Sequence, residues 1–276
     1  MTAPESRPIV RNIIIYYAGT MLLAIGGGLV MASGVEAGGL LFVLSPLLMV
    51  LVVRFLLRGG WQDAGLRFNF KQSWGWYLLA VLLYPVLFLV NLAINVLLDF
   101  TTLTVPVVEV LPLLLAGFLV QLLPRMIFAL SEEWGWRGYL EPRLARLGVP
   151  DFSRHLMVGI LWGFWHFPLI LATDYTTVSL FIFLPLFMLG IIFLAFIYGR
   201  MFKSSGTVWP AVIMHGMGNA VGFAIIEGNL VAFNNELWGS IVPGSIITTL
   251  IYAFIAIIIW RRPVNLAATA ELAGAQ

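Results

Sequence analysis

Hydrophobic residues form long runs along the chain, and polar residues are concentrated in the short segments between those runs. A helix needs about 20 apolar residues to cross a bilayer, and by that length the chain contains about eight candidate spans. They cover residues 12–31, 40–57, 76–98, 110–130, 156–172, 180–199, 208–226 and 246–260. The connections are too short to hold a soluble domain, so we predict one integral membrane domain over residues 1–276.

Composition favours the same class. Of the 276 residues, 61% are hydrophobic and 10% are charged, whereas soluble domains are about 25% charged. The predicted fold class is therefore all-α, a polytopic membrane protein of about eight transmembrane helices. The first run is too long for a typical signal-peptide core, so we predict an uncleaved span.

Two further features of the composition exclude function classes. The chain has no cysteine, which rules out disulfides, thiolate metal sites and cysteine catalysis. The net charge of +2 is small, and the basic residues form short clusters between apolar runs. We therefore expect the lipid bilayer as a partner and no nucleic acid.

The basic residues occur in alternate connections, and this alternation predicts the orientation. One set of connections holds Arg7, Arg11, Arg54, Arg58, Arg67, Lys71, Arg143, Arg146, Arg154, Arg200, Lys203, Arg261 and Arg262. The other set holds Glu36, Asp99, Glu109, Asp174, Glu227 and Glu236, with no lysine or arginine. We call these the basic end and the acidic end. The positive-inside rule places the basic end and both termini in the cytoplasm.

Ionisable side chains inside membrane spans are costly and usually functional. His166 lies roughly 15 Å and His215 roughly 10 Å from the basic end, counted at about 1.5 Å per helical residue. If the fourth span continues beyond residue 130, Glu132 and Glu133 reach a similar depth. We therefore predict one shared site, although a membrane histidine is often a packing residue. His155, at the basic end of its span, is expected at the interface.

Helical spacing separates the two glutamates. Residues i and i+4 share a helix face, so Arg137 can neutralise Glu133 and keep it ionised. Glu132 points about 100° away, with Trp136 as its i+4 neighbour. An apolar neighbour would make Glu132 a competent base. The alternative is an interfacial ion pair with no chemistry.

The same spacing recurs in two other spans. His215 and Asn219 in "HGMGN" can both donate to one point, which suits a developing oxyanion, and a polar contact between helices is the alternative. Trp162 precedes His166 by four residues in "WGFWH" and can form a wall of the site. Glycine pairs near both histidines, 159/163 and 218/222, favour close helix packing there. Arg125, two turns before Glu132, is expected to extend towards the cytoplasmic interface.

Together these motifs resemble the CPBP family, the CAAX-processing proteases and bacteriocin-immunity proteins. The family pattern is EExxxR, then an aromatic residue four before a histidine, then a histidine four before Asn or Asp. The corresponding residues are Glu132, Glu133 and Arg137, then Trp162 and His166, then His215 and Asn219. The resemblance covers about residues 110–226, the motif-bearing core. Trp162 stands where phenylalanine is usual.

The resemblance implies about eight helices that enclose a polar cavity facing the cytoplasm. Founding members of the family remove a C-terminal tripeptide from prenylated proteins. If the family's residue roles apply at the matching positions, Glu132 with His166 activates a water. His215 and Asn219 then stabilise the oxyanion, and Glu133 and Arg137 hold Glu132 in place. No cofactor is favoured; the alternative is a zinc ion on Glu132, His166 and His215, although the HExxH spacing of helical zinc proteases is missing.

The predicted function is that of an intramembrane endopeptidase. It would cut near the C-terminus of a membrane-associated protein or peptide, prenylated or not, in the plasma membrane of a prokaryote. The first alternative is a non-enzymatic scaffold or bacteriocin-immunity protein with the same residues. The second is a proton-coupled transporter, which the missing sequence repeats and the clustering of polar groups near one face argue against.

The orientation can be tested with reporter fusions at Gln276 and after Asp174. Because every basic connection falls on one side, the two fusions are expected to report opposite sides, with Gln276 in the cytoplasm. Topology reporters that are active on only one side of the membrane make the measurement. Reports from the same side would contradict the predicted number of spans.

Overall fold

The computed structural model describes residues 3–262, with side chains from residue 6 onwards, so the two ends of the predicted domain 1–276 lie outside the described residues. The described chain is almost entirely helical, which confirms the all-α prediction. Its α-helices are α1 (Ala3–Ala32), α2 (Ala37–Leu51), α3 (Phe70–Leu97), α4 (Val107–Gly135), α5 (Glu141–Arg146), α6 (Asp151–Ala172), α7 (Leu180–Ser205), α8 (Trp209–Glu227), α9 (Glu236–Gly239) and α10 (Ile246–Arg261).

Seven segments of the described chain are long and apolar enough to cross a membrane. They contain α1, α2, α3, α4 with its extension to Arg146, α6, α7 and α8. The eighth predicted span is α10, which has 16 residues and falls below that length. The protein is thus a multi-pass integral membrane protein, and its helices agree with the prediction of about eight.

The helix of the fourth span continues well beyond its predicted end at residue 130. Helix α4 runs to Gly135, a π-helical turn follows at Trp136–Leu140, and α5 continues the helical path. Residues 131–141 are all buried, so this part of the helix lies inside the bundle rather than at its surface. The continuation carries both motif glutamates and Arg137 into the protein interior.

Small residues allow the helices to approach one another closely around this interior. A Cβ atom added at Gly135 would lie 2.4 Å from the Tyr16 hydroxyl of α1 and 2.6 Å from Pro46 of α2. A Cβ atom at Gly159 of α6 would lie 2.8 Å from the Ile192 Cα atom of α7. A Cβ atom added at Gly218 of α8 would lie 2.7 Å from the ring of Tyr84 on α3. The close packing expected near the two histidines is therefore present.

The two ends of the bundle are closed differently. At the acidic end, strands β1 (Thr101–Leu103) and β2 (Val231–Phe233) pair in an antiparallel ribbon. At the basic end, the buried Arg54 lies 3.1 Å from Asp63 and donates to the Gly138 carbonyl at 2.6 Å. Arg143 also pairs with Asp63 at 3.1 Å. These charges tie the connection after α2 to the π-helical turn of the motif segment.

Candidate active site

A buried ion pair lies at the centre of the motif segment. The Arg137 guanidinium donates to Glu133 Oε1 at 2.9 Å, as the i, i+4 spacing predicts, and both side chains are fully buried. Charges so far from water are stable only when they are paired. This pair therefore fixes the rotation of the helix around it.

His215 connects this ion pair to α8. Its Nδ1 atom is 2.9 Å from Glu133 Oε1, and its Nε2 atom is 3.8 Å from Glu132 Oε1. An ionised carboxylate can only accept hydrogen bonds, so Nδ1 carries the proton and donates it to Glu133. The other nitrogen of the ring then faces Glu132. The structure thus brings both glutamates together with a histidine 82 residues further along the chain.

Trp162 contacts all parts of this arrangement. Its indole N–H donates to Glu132 Oε2 at 2.9 Å, and the Arg137 guanidinium lies 4.4 Å from the centre of its ring. Its backbone carbonyl is 2.9 Å from His166 Nδ1. Trp136, the expected neighbour of Glu132, instead packs edge-on against Tyr16 and Trp165. The aromatic partner of Glu132 was therefore predicted wrongly, because the contact comes from another helix.

His166 and Asn219 line a cavity next to the site. The hydrogen bond of His166 goes to the Trp162 carbonyl rather than to Glu132. A carbonyl accepts, so Nδ1 donates and Nε2 remains for a water or a substrate. Asn219 lies one turn beyond His215 and lines the same cavity. Glu132 is connected to this cavity through Trp162 and His215, which both line it.

The cavity has a volume of about 340 Å³ and is walled mainly by apolar and aromatic side chains. From the histidines its lining extends to Phe233, Glu236 and residues 240–243, which lie at the acidic end. If the basic end is cytoplasmic, this lining leads away from the cytoplasm. The cytoplasm-facing cavity that the family resemblance implies stays a prediction. At the basic end, the Arg54–Asp63–Arg143 cluster and a hydrogen bond from Trp209 to the Leu66 carbonyl join the helices instead.

The Glu236 carboxylate holds the connection between α6 and α7 at the acidic end of this cavity through hydrogen bonds. Glu236 accepts hydrogen bonds from the Thr176 hydroxyl at 2.7 Å and from the Thr177 backbone N–H at 2.9 Å. Between these helices, Tyr175 lines the cavity, and burial raises the pKa of Tyr175 to about 12. Its hydroxyl therefore keeps its proton at neutral pH.

Comparison with known proteins supports the motif assignment. Residues 113–221 match the family described as type II CAAX prenyl endopeptidase Rce1-like. The motif segment is therefore similar to this family, and the match covers less than half of the chain. The match confirms the CAAX-protease resemblance, contains all seven predicted site residues and lies within the predicted core 110–226. No curated protein is similar enough to the chain to count as a match.

The site also contains two tyrosines that the motifs do not reveal. Tyr198 of α7 stacks on His215, with ring centres 5.7 Å apart, and lies 4.9 Å from the Arg137 guanidinium. Its hydroxyl is 3.1 Å from that of Tyr84 on α3. Both tyrosines are buried and line the cavity. In the sequence they are aromatic residues within apolar runs, so no local pattern distinguishes them.

Two basic residues lie elsewhere than expected. Arg125 pairs with Glu227 at the acidic end, at 3.2 Å, rather than extending towards the basic end. For Arg125, an ion pair with an oppositely charged residue on α8 is more favourable than extension towards the interface. His155 is fully buried 3.3 Å from Glu141, not exposed at an interface. Both differences arise from partners far away in the sequence.

The alternative zinc site receives no support from the side-chain arrangement. Within residues 3–262, no three histidine, aspartate or glutamate side chains are grouped as metal ligands. We therefore derive no step through a metal. Metal analysis of the purified protein remains the test of this alternative.

The two glutamates are expected to differ in their effect on stability. Arg137→Met or Glu133→Gln breaks the buried pair, which typically costs about 3–5 kcal/mol because the surviving charge is left without its partner. Glu132→Gln keeps an oxygen that can accept from Trp162, so its cost is expected to be small. Thermal unfolding in detergent is the measurement, with Glu132→Gln as the matched control. Equal unfolding temperatures for all three variants would contradict this account.

Proposed function

We propose that the protein is an intramembrane endopeptidase that hydrolyses a peptide bond near the C-terminus of a membrane-associated protein or peptide. The observation that carries the proposal is the position of Glu132. Its buried carboxylate lies between the Trp162 indole N–H and His215, beside a cavity of substrate size. The Rce1-like match supports peptidase activity in general and a membrane-associated substrate.

Glu132 is the proposed base. A water next to its carboxylate would attack the carbonyl carbon while its proton passes to Glu132. The same proton then moves to the leaving nitrogen as the C–N bond breaks. His166 supports the water: because Nδ1 donates to the Trp162 carbonyl, Nε2 of the neutral ring can accept a hydrogen bond from it.

His215 and Asn219 are the proposed oxyanion partners. They lie one turn apart on α8 and line the cavity together. With protons on both ring nitrogens, His215 would donate to Glu133 from one side and to the oxyanion from the other. Two carboxylates, one guanidinium and one imidazolium then sum to zero charge, which lowers the cost of burying them. Glu133 and Arg137 act by holding this arrangement rather than by touching the substrate.

The proposal predicts a specific loss of activity. Glu132→Gln removes the proton acceptor and keeps the side-chain shape, so turnover is expected to fall by about 10²-fold or more while the protein stays folded. Cleavage of a substrate peptide and a thermal melt are measured on the same preparation. The peptide is found by comparing protein termini in membranes that contain either wild-type protein or Glu132→Gln.

Other outcomes would change the assignment. Normal cleavage by Glu132→Gln, together with a stable but inactive Glu133→Gln, would reverse the roles of the two glutamates. If both variants and His166→Ala leave function unchanged, the enzyme proposal fails. A scaffold or immunity protein that uses the same residues would then be the better account.

A further inference from the structure

Several arginines at the basic end share one carboxylate. Asp63 pairs with three guanidinium groups, at 3.1, 3.1 and 3.7 Å, those of Arg54, Arg143 and Arg146. One negative charge therefore faces three positive charges, and two positive charges in this cluster remain uncompensated. The proposed reaction uses none of these arginines. An excess of positive charge in a partly buried cluster favours the binding of an anion.

A small pocket lies beside this cluster, between the start of α1 and the connection after α2. Its lining includes Arg11, Arg58 and Arg143, and none of the lining residues that the structure describes is acidic. We call it the arginine pocket. Its volume is about 140 Å³, the volume of about five water molecules at roughly 30 Å³ each. A group of five heavy atoms, such as phosphate, matches this volume.

Arg58 carries its charge at a backbone position that is unfavourable for arginine. Its φ angle is 51°, in the left-handed region that residues other than glycine rarely adopt. Helix ends with this conformation usually have glycine or asparagine there. Within residues 6–262, the guanidinium of Arg58 has no ion-pair or hydrogen-bond partner. A strained residue without a partner in the protein points to a partner outside it.

The arginine pocket lies at the level of the lipid headgroups. Arg11 immediately precedes the first apolar run, 12–31, and Arg58 immediately follows the second, 40–57. Both residues therefore lie where the hydrocarbon core ends at the basic side. Arg11 also lines a second depression of about 410 Å³ along α1, together with Ile14 and Ile15. An apolar surface thus leads from the charged pocket towards the hydrocarbon core.

We propose that the arginine pocket binds the phosphate of one anionic phospholipid, through Arg11, Arg58 and Arg143. Arginine is suited to this ligand because its planar guanidinium can donate two parallel hydrogen bonds to a phosphate. The apolar depression next to Arg11 favours a lipid over a free phosphate ion. The site is separate from the cavity beside Glu132, and the inference does not depend on the proposed peptidase function.

The bound lipid connects α1 to the motif segment. Tyr139, in the π-helical turn, and Arg143 of α5 both line the arginine pocket. The neighbouring Arg54 donates to the Gly138 carbonyl of the same turn at 2.6 Å. Because this pocket exists only in the folded protein, lipid binding should raise the unfolding temperature.

Native mass spectrometry of the full-length protein in a neutral detergent measures the binding. Phosphatidylglycerol, with one net negative charge, is compared with phosphatidylcholine, which has the same acyl chains and no net charge. Wild-type protein is expected to bind one phosphatidylglycerol at least about tenfold more tightly, because each basic residue at an anionic surface contributes about fivefold. Phosphatidylglycerol alone should raise the unfolding temperature. Inorganic phosphate at the same concentration should not displace it, because phosphate has no apolar chains.

Three variants locate the site. Arg11→Gln with Arg58→Gln removes two charges of the pocket and should reduce the preference for phosphatidylglycerol to about twofold or less. Arg67→Gln removes an exposed arginine of the basic end that does not line the pocket, so the wild-type preference should remain. Arg58→Gly suits the left-handed backbone and removes the charge. Its binding should be about fivefold weaker, while the lipid-free variant melts no lower than wild type.

Each of the opposite results would overturn the proposal. Equal affinity for the two lipids would exclude a site for anionic lipid, and displacement by inorganic phosphate would identify a free-anion site instead. An unchanged preference in the double variant would exclude the arginine pocket. A loss of preference in Arg67→Gln as large as in the double variant would indicate diffuse attraction to the whole basic end. Lower stability of lipid-free Arg58→Gly would show that Arg58 serves the fold. Peptide cleavage enters none of these measurements, so the proposed function is tested separately.

Discussion

The structure depends on the buried pair between Glu133 and Arg137. In a membrane protein neither charge has water to solvate it, so each must find a partner within the bundle. Glu133 has two partners, Arg137 on its own helix and His215 on α8. This requirement keeps α4 helical past its predicted end and sets α8 beside it. Glu132, the next residue back, is then directed at Trp162 and at the other face of the same histidine.

Trp162 turns a set of separate motifs into one site. Its indole N–H donates to Glu132, its ring lies beside Arg137, and its backbone carbonyl accepts a hydrogen bond from His166. Phenylalanine, usual at this position in the family, can provide the ring contact and the carbonyl but has no N–H to donate. The hydrogen bond to Glu132 is thus a feature of this sequence. It constrains one carboxylate oxygen and leaves the other, Oε1, towards His215.

Much of this arrangement could be predicted from local sequence. Apolar runs predicted where the helices lie along the chain, because a bilayer imposes a length on every span, although α1 begins earlier and α4 ends later than predicted. The i, i+4 rule gave the Glu133–Arg137 contact, because both residues lie on one helix. The remaining contacts join residues far apart in the chain. The partner of Glu132, the pairing of Arg125 with Glu227 and the burial of His155 all depend on how helices pack, which spacing within one helix cannot show.

The central claim is that Trp162 acts through its hydrogen bond to Glu132. Its most direct test is a double-mutant cycle on turnover with Trp162→Phe, Glu132→Gln and the double variant. Trp165→Phe serves as the control, because the Trp165 N–H donates to Ser45 instead. The account predicts that Trp162→Phe alone lowers turnover by about tenfold or more, as expected for a hydrogen bond to a charged group. It also predicts that the double variant is no slower than Glu132→Gln and that the control stays near wild type. Independent, multiplicative losses from the two substitutions would contradict it.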